Sequence, residues 1–197
     1  MKIVLTLTCL FTALSVHSKA SVIMFEGFAG PGQTINVGPG TPYTEAGFEL
    51  MPLNSSSAVF GPAAGPQFPG DATSWFGFAE NNTITLTGPA PFNLNSALIG
   101  PSSIGTGNIN FTITGHVLDG STVSVTFTNL TTATTEVIGF TGLQSATFST
   151  TSGAGLDDIS VSTTVPEPGS FFFLVGALLL ASGFRGYMAV VHKIFPV

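Results

Sequence analysis

The body of this sequence contains no positive charge. All lysines and arginines lie near the chain ends, at Lys2, Lys19, Arg185 and Lys193, and residues 21–164 contain none. Proteins that bind nucleic acid use Lys and Arg to displace counterions from phosphates. Nucleic-acid binding is therefore excluded for this region.

The same region is acidic and has no cysteine, because Cys9 is the only one in the chain. A zinc site is disfavoured, since the body offers a single histidine, His116, and no thiolate. Without a cation, a buried carboxylate needs backbone donors, protonation or a bound metal. Calcium is the metal to consider for the carboxylates of this region, which are Glu26, Glu45, Glu49, Asp71, Glu80, Asp119, Glu136, Asp157 and Asp158.

No set of catalytic residues stands out. His116 precedes Asp119 by three positions, but no Gly-x-Ser-x-Gly nucleophile elbow accompanies them. Two carboxylates form a glycosidase pair only at a defined separation in space, which the sequence does not show. We therefore predict no catalytic residue, and a polysaccharide-degrading enzyme is the least favoured alternative.

The N-terminus has the features of a secretory signal peptide. Lys2 is followed by the apolar run 3–16 and then by Ser18-Lys19-Ala20, with small residues at the −3 and −1 positions. This pattern predicts cleavage by signal peptidase after Ala20. Residues 1–20 are then the signal peptide, and residues 21–164 form the exported domain.

The C-terminal segment 165–197 combines prolines, an apolar run and a basic residue. Pro166-Glu167-Pro168 precedes the apolar run 171–184, which ends at Arg185. Such a helix spans about 21 Å, less than the roughly 30 Å hydrocarbon core. Extension to residue 191 would place Arg185 inside the membrane at a cost of about 2.5–3.5 kcal/mol. We predict a transmembrane helix over about 171–184, or to 191.

This order of features resembles the PEP-CTERM sorting domain of Gram-negative bacteria. The resemblance implies that a membrane exosortase recognises Pro166, Glu167 and Pro168, with Arg185 on the cytoplasmic side. It also implies an inner-membrane-anchored precursor that is passed to the cell surface or extracellular matrix. The tail departs from the family because it continues past Arg185 without a cluster of arginines. A plain C-terminal anchor is the alternative.

The body has the alternating pattern of an all-β protein, without any long run of helical period. A hairpin is predicted from 109–114 and 123–128, with Asp119-Gly120 in its turn. Together with the six further strands given below, this hairpin suits a single β-sandwich of jelly-roll type. An exposed loop is predicted over 61–70. Further strands are predicted at 22–25, 48–51, 83–87, 136–140, 146–150 and 159–162.

The body also resembles jelly-roll carbohydrate-binding modules, through Phe25-Glu26-Gly27-Phe28, the segment 91–96 and Gly155-Leu156-Asp157-Asp158-Ile159. That resemblance implies a structural calcium ion held by Glu26 and by Asp157 or Asp158. Carboxylates from the two terminal strands would suit calcium, which takes six to eight oxygen ligands. The alternative is that all three are solvated charges at strand ends.

Trp75 is the candidate ligand-binding residue. Its indole, with Asn81 and Asn82 nearby, could form a platform on which a sugar stacks. The alternating Ser74, Phe76 and Phe78 indicate equally that the segment is a core strand. The sequence thus favours a non-enzymatic exported protein of the surface or matrix, associated with extracellular polysaccharide, over a specific carbohydrate-binding module.

Overall fold

The computed structural model describes residues 16–64, 68, 73–102 and 108–166, with the backbone alone at 16, 17, 90 and 164–166. Within these residues the chain forms β-strands and no helix, which confirms the predicted all-β class. The strands are β1 (Val16–Ile23), β2 (Thr34–Val37), β3 (Tyr43–Glu45), β4 (Phe48–Pro52), β5 (Ser57–Phe60), β6 (Trp75–Phe78), β7 (Thr83–Pro101), β8 (Ile109–Val117), β9 (Thr122–Leu130), β10 (Thr134–Thr150) and β11 (Ala154–Pro166).

The strands form one antiparallel sheet with the order β2-β5-β6-β11-β7-β10-β8-β9. In addition, β4 pairs with β7, β3 with β4, and β1 with β11. Residues 83–87 of β7 lie between β4 and β10, whereas residues 92–101 lie between β10 and β11. The long strands β7 and β10 belong to both parts of the sheet and divide it into two layers. The first layer is β3-β4-β7-β10-β8-β9, and the second layer is β2-β5-β6-β11-β7-β10.

The division falls where the ladder between β7 and β10 is interrupted. Leu143 pairs with Phe92 and Ser145 with Thr87, so residues 88–91 of β7 have no partner in β10. Two of these four are prolines, which lack the N–H that a ladder needs. On β10, Gly142 lies at the neighbouring register shift, before Leu143, and has a φ of +68°, which glycine adopts without steric cost. Such irregularities bend strands and let one sheet fold over itself.

The two layers meet through buried aromatic side chains. Phe78 of β6 contacts Phe111 of β8 edge to face, with ring centroids 5.8 Å apart. Phe48 of β4 and Phe92 of β7 form a second edge contact at 5.3 Å. These rings belong to the main hydrophobic cluster, to which most strands contribute alternate residues. The arrangement is consistent with the predicted β-sandwich, while the jelly-roll topology stays a prediction.

The predicted hairpin is present between β8 and β9. Thr112 pairs with Thr126 and Thr114 with Ser124. In the turn, the Gly120 N–H donates to the Val117 carbonyl at 3.0 Å, and Asp119 accepts hydrogen bonds from the backbone and hydroxyl of Ser121 at 2.8 and 2.6 Å. These bonds hold the pKa of the exposed Asp119 carboxyl below its usual range.

Two expectations about the body were right only in part. The separate strands predicted at 136–140 and 146–150 are parts of one strand, β10, because its glycines make bulges and do not end it. Within the predicted exposed loop 61–70, the described residues Gly61, Ala64 and Phe68 are buried, Pro62 is half-buried and Ala63 is exposed. Phe68 joins Ala58, Phe60 and Trp75 in a second hydrophobic cluster.

The sheet belongs to a compact unit, Lys19–Thr163, and the chain ends form a separate unit, Met1–Ser18 with Thr164–Val197. Strand β1 runs across Ala20, where cleavage stays a prediction. No helix suited to crossing a membrane occurs among the described residues. The helix predicted at 171–184 lies outside them, as do Glu167, Pro168 and Arg185.

Candidate functional site

Asp157 and Asp158 form a bulge in β11. The ladder between β11 and β7 shifts between Asp157 and Ser160, and Asp158 has a φ of +46°. This extra residue allows Leu156 and Ile159 both to enter the core. The Asp157 side chain is buried, with 1% of its surface exposed, whereas Asp158 is exposed. The Asp158 N–H donates to Asp157 Oδ1 at 2.7 Å.

Glu26 and Asp157 approach the same turn, immediately before β6. Glu26 Oε1 accepts a hydrogen bond from the Ser74 N–H at 3.0 Å. Asp157 Oδ2 accepts one from the Thr73 hydroxyl at 3.3 Å. The Ser74 hydroxyl is buried and has no hydrogen-bond partner among the described residues. The structure thus brings together Glu26 and Asp157, two of the residues predicted to bind calcium.

A third carboxylate, Glu45, belongs to the same neighbourhood and was not singled out from the sequence. Its Oε2 accepts three hydrogen bonds, from the N–H groups of Met24 and Phe25 at 3.1 and 3.0 Å and from the Tyr43 hydroxyl at 2.7 Å. Tyr43 and Glu45 are two positions apart on β3, so their side chains share a face. That spacing was the one signal in the sequence.

The pKa of the Tyr43 hydroxyl reflects both its burial and the negative charge of the neighbouring carboxylates. Burial raises its pKa far above the usual value, the hydrogen bond to Glu45 raises it further, and the charges of Glu45, Asp157 and Glu26 add to the shift. No lysine or arginine lies between residues 21 and 164 to offset them. These carboxylates accept hydrogen bonds from backbone and hydroxyl groups, and backbone donors were one of the alternatives that the lack of cations left open.

We predict that Tyr43→Phe lowers the free energy of unfolding by about 2 kcal/mol at pH 7, because Glu45 loses a charge-assisted hydrogen bond. The native pKa of Tyr43 exceeds the unfolded value of about 10. Its stabilisation is therefore complete below pH 10 and declines as the pH rises further. Above pH 10, the wild-type protein should therefore lose up to about 1.4 kcal/mol of its free energy of unfolding per pH unit through Tyr43, and the variant should not.

Urea unfolding at pH 7 and pH 11 measures both effects. The second tyrosine, Tyr187, lies in the C-terminal segment and is common to the two proteins, so the difference between them isolates Tyr43. Equal alkaline destabilisation of both proteins would contradict the prediction.

The oxygen donors present fit calcium in kind but fall short in number. Carboxylates and hydroxyls are the hard ligands that calcium prefers, and it takes six to eight of them. Among the described residues, no group of three or more His, Cys, Asp or Glu is placed to hold a metal ion. Asp71, which is close in sequence to Thr73, lies outside the described residues. Calcium therefore stays a prediction.

The predicted ligand platform at Trp75 is covered by other aromatic rings. Trp75 is 3% exposed and stacks with Phe60 at 4.5 Å and with Phe68 at 5.2 Å. Phe76 and Phe78 lie in the main core, in agreement with the core-strand interpretation. Ligand binding by Trp75 stays a prediction, and in this structure its ring is occupied by protein contacts.

The outer face of the first layer presents a regular array of hydroxyl groups, which we call the hydroxyl face. On β7, β8 and β10 its positions alternate with buried residues, and all of them are half-buried or exposed. The same face includes a carboxylate on its β4 side, Glu49, which pairs with Thr87. Cross-strand hydrogen bonds join Thr112 to Thr126 at 3.0 Å and Thr114 to Ser124 at 3.2 Å. The strand register places these side chains in three rows, each with one residue from β7, β10, β8 and β9 in that order. The rows are Thr87, Ser145, His116 and Thr122; Thr85, Thr147, Thr114 and Ser124; and Thr83, Ser149, Thr112 and Thr126. His116 is the one member of these rows without a hydroxyl group.

A scan against models of protein families gives no match. A search of curated proteins gives no similar sequence either. Among solved structures, the carbohydrate-binding module TmCBM61 in complex with β-1,4-galactotriose is 8% identical, with 70% of this chain and 92% of that chain covered and a TM-score of 0.34. The enzymatically active domain of bacteriophage CBA120 tailspike protein 4 is 12% identical, with 68% and 20% covered and a TM-score of 0.24. Neither likeness establishes a shared fold or function.

Proposed function

We propose that this chain is a non-enzymatic exported protein that an exosortase-type system delivers to the cell surface or matrix, where it associates with extracellular polysaccharide. The proposal of exosortase-type sorting rests on the order of features in the C-terminal segment, where Pro166-Glu167-Pro168 is followed by the apolar run and Arg185. Strand β11 ends at Pro166, so the triplet begins at the last residue of the last described strand. Two prolines prevent continuation of a strand or helix and favour an extended segment that an enzyme could read.

The intact mass of the protein recovered from the native envelope and culture medium tests this proposal. We expect a product that begins near Ser21 and ends near Pro166 to Pro168. Glu167→Ala should leave the C-terminus intact and the protein in the membrane fraction. Glu136→Ala, which changes a carboxylate of the body, should be processed normally. An intact, membrane-held C-terminus in the unaltered protein would make this a simple anchored surface protein.

Association with a neutral polysaccharide is supported by the hydroxyl face. Threonine and serine hydroxyls can both donate and accept hydrogen bonds, as sugar hydroxyls do. Anionic polymers are disfavoured, since the body carries carboxylates and no ammonium or guanidinium group. A specific carbohydrate-binding module is the second candidate, and its site would be this face, because Trp75 is covered.

Glycan-array binding distinguishes the two candidates. A specific module binds a defined neutral glycan, and Thr114→Val together with Thr147→Val should weaken that binding at least tenfold while the melting temperature changes little. A passive matrix component gives no selective signal on the array. Binding that survives loss of both hydroxyls would exclude the hydroxyl face as the site.

The proposal of calcium binding is supported by the proximity of Glu26 and Asp157, and it has a separate test. We expect calcium at a hundredfold excess over its Kd to raise the free energy of unfolding by about 2.7 kcal/mol, and chelator to reverse this. Asp157→Asn should abolish the response, whereas Glu80→Gln, a change at an exposed position, should keep it. A melting temperature that is indifferent to both calcium and chelator would show that no such ion stabilises the fold.

A further inference from the structure

Strand β9 is an edge of the sheet. It is the last strand in the hydrogen-bonded order, and in the described part of the chain β8 is its one strand neighbour. Its register with β8 is regular from Thr122 to Phe127. An edge strand presents unpaired N–H and C=O groups on its outer side, which form a template for pairing with another chain.

Between Thr122 and Phe127 this edge lacks the features that usually prevent such pairing, and the register shift between β8 and β9 comes only after Phe127. Proteins protect edges with lysine or other charges, with proline, with bulges or by keeping the strand short. Strand β9 has nine residues, Thr-Val-Ser-Val-Thr-Phe-Thr-Asn-Leu, and none of them is charged or a proline. One of its apolar residues, Val123, is 39% exposed, and Val125 and Phe127 are only half-buried.

The pattern of β9 is complementary to itself in one antiparallel register. If a second copy is placed with Val125 opposite its own equivalent, Val123 lies opposite Phe127, and Ser124 lies opposite Thr126. Between Thr122 and Thr128, every apolar side chain then meets an apolar one, and every hydroxyl meets a hydroxyl on the other face. Leu130 lies opposite Gly120. Cross-strand pairs of these kinds stabilise sheets. A shift by one residue would place hydroxyls opposite valines.

Charge also permits this register. The carboxylate closest to β9 in sequence is Asp119 in the β8–β9 turn, and the register places it opposite Thr131 of the second copy. No pair of like charges is therefore brought together. The overall charge of −6 opposes association at a distance, so salt should strengthen it.

We infer that β9 is a homotypic interaction edge, at which a second copy of this chain adds its own β9 in antiparallel orientation about Val125. The first layers of two molecules then form one continuous sheet, and their hydroxyl faces become contiguous. One strand pair buries little surface, so the dimer is weak in solution and forms where the protein is crowded. The inference does not depend on the proposed route of export.

A charge-pattern experiment on the full chain in detergent micelles tests the inference. The variant S124K/T126K places lysine opposite lysine in the dimer, whereas S124K/T126E places lysine opposite glutamate at the same two positions. Both lose the hydroxyls of Ser124 and Thr126, and the apolar tail contributes equally in both. Sedimentation equilibrium should show a dimer Kd raised at least tenfold by S124K/T126K and restored to within about threefold of wild type by S124K/T126E.

Disulfide trapping tests the register. In a Cys9→Ser background, V125C should form a cross-linked dimer on mild oxidation, because equivalent residues face each other at position 125. V123C should not, since it faces Phe127. Melting temperatures within a few degrees of wild type show that each variant is folded. A wild-type protein without dimerisation at millimolar concentration, equal effects of the two charge variants, or cross-linking at 123 in place of 125 would overturn the inference.

Discussion

Replacing Gly100 by alanine should lower the free energy of unfolding by about 3 kcal/mol, a large effect for the addition of one methyl group. Gly100 lies in β7, opposite Gly155 of β11. An added Cβ would lie 2.5 Å from Ala133 Cα, 2.8 Å from Ala133 N and 2.9 Å from the Thr132 carbonyl oxygen. These neighbours are backbone atoms of the β9–β10 connection, so relief requires a shift of the chain itself.

Gly38→Ala is the matched control. Its Cβ would meet the Ser56 hydroxyl oxygen at 3.3 Å, which is the end of a movable side chain, and its φ is not in the left-handed region. We expect a change of less than about 1 kcal/mol there. Chemical denaturation of both variants measures the contrast. If Gly100→Ala is as stable as the control, the connection does not pack on β7 as closely as the structure shows.

The strands that the sequence predicts well are those with one buried and one solvent-facing side. Strand β4 and residues 109–116 of β8 alternate between buried residues and half-buried or exposed ones, which is the period of two that the sequence displays. Strand β5 was missed because all four of its residues are buried, so no alternation exists. The three-residue β3 is too short to show a period.

The site was predictable only in part, because its contacts join residues far apart in the chain. Glu26 and Asp157 were proposed together from a resemblance, and the structure places both beside residues 73–74. Glu45 gave no comparable signal, since two of its three donors, the N–H groups of Met24 and Phe25, precede it by about 20 positions. Backbone donors leave no trace in side-chain identity, so sequence patterns cannot reveal them.

The Trp75 region shows a second kind of contact that sequence patterns do not reveal. Adjacent residues of β6 enter two different hydrophobic clusters, Phe76 the main core and Trp75 the cluster with Phe60 and Phe68. A strand with aromatic residues on both faces would, by itself, expose one of them as a binding platform. Phe68, from a segment rich in proline and glycine, covers that face here. Composition correctly predicted the lack of regular structure at the described residues 61–64 and 68 but not the burial of Phe68.

Removing the contact between Phe78 and Phe111 should cause the largest loss of stability among these predictions, because this contact joins the two layers. Phe111 is fully buried and contacts Phe78 across the layers, with Phe148 beside it at 6.3 Å. Phe111→Ala should cost about 3–5 kcal/mol through lost burial and the cavity that remains. Phe127→Ala, at a half-buried position of β9, should cost less than half as much.

A double-mutant cycle shows whether the layers themselves make this contact. Phe→Leu changes at positions 78 and 111 keep the protein folded, and for rings in direct contact the double variant should be about 0.5–1.5 kcal/mol more stable than the sum of the single losses. The same cycle between Phe48 and Phe111, which share no ring contact, should be additive. Coupling at 78 and 111 alone means that β6 and β8 pack face to face as two layers of a sandwich. Additivity in both cycles would mean that the two buried rings are held in separate environments, and the layered arrangement would have to be abandoned.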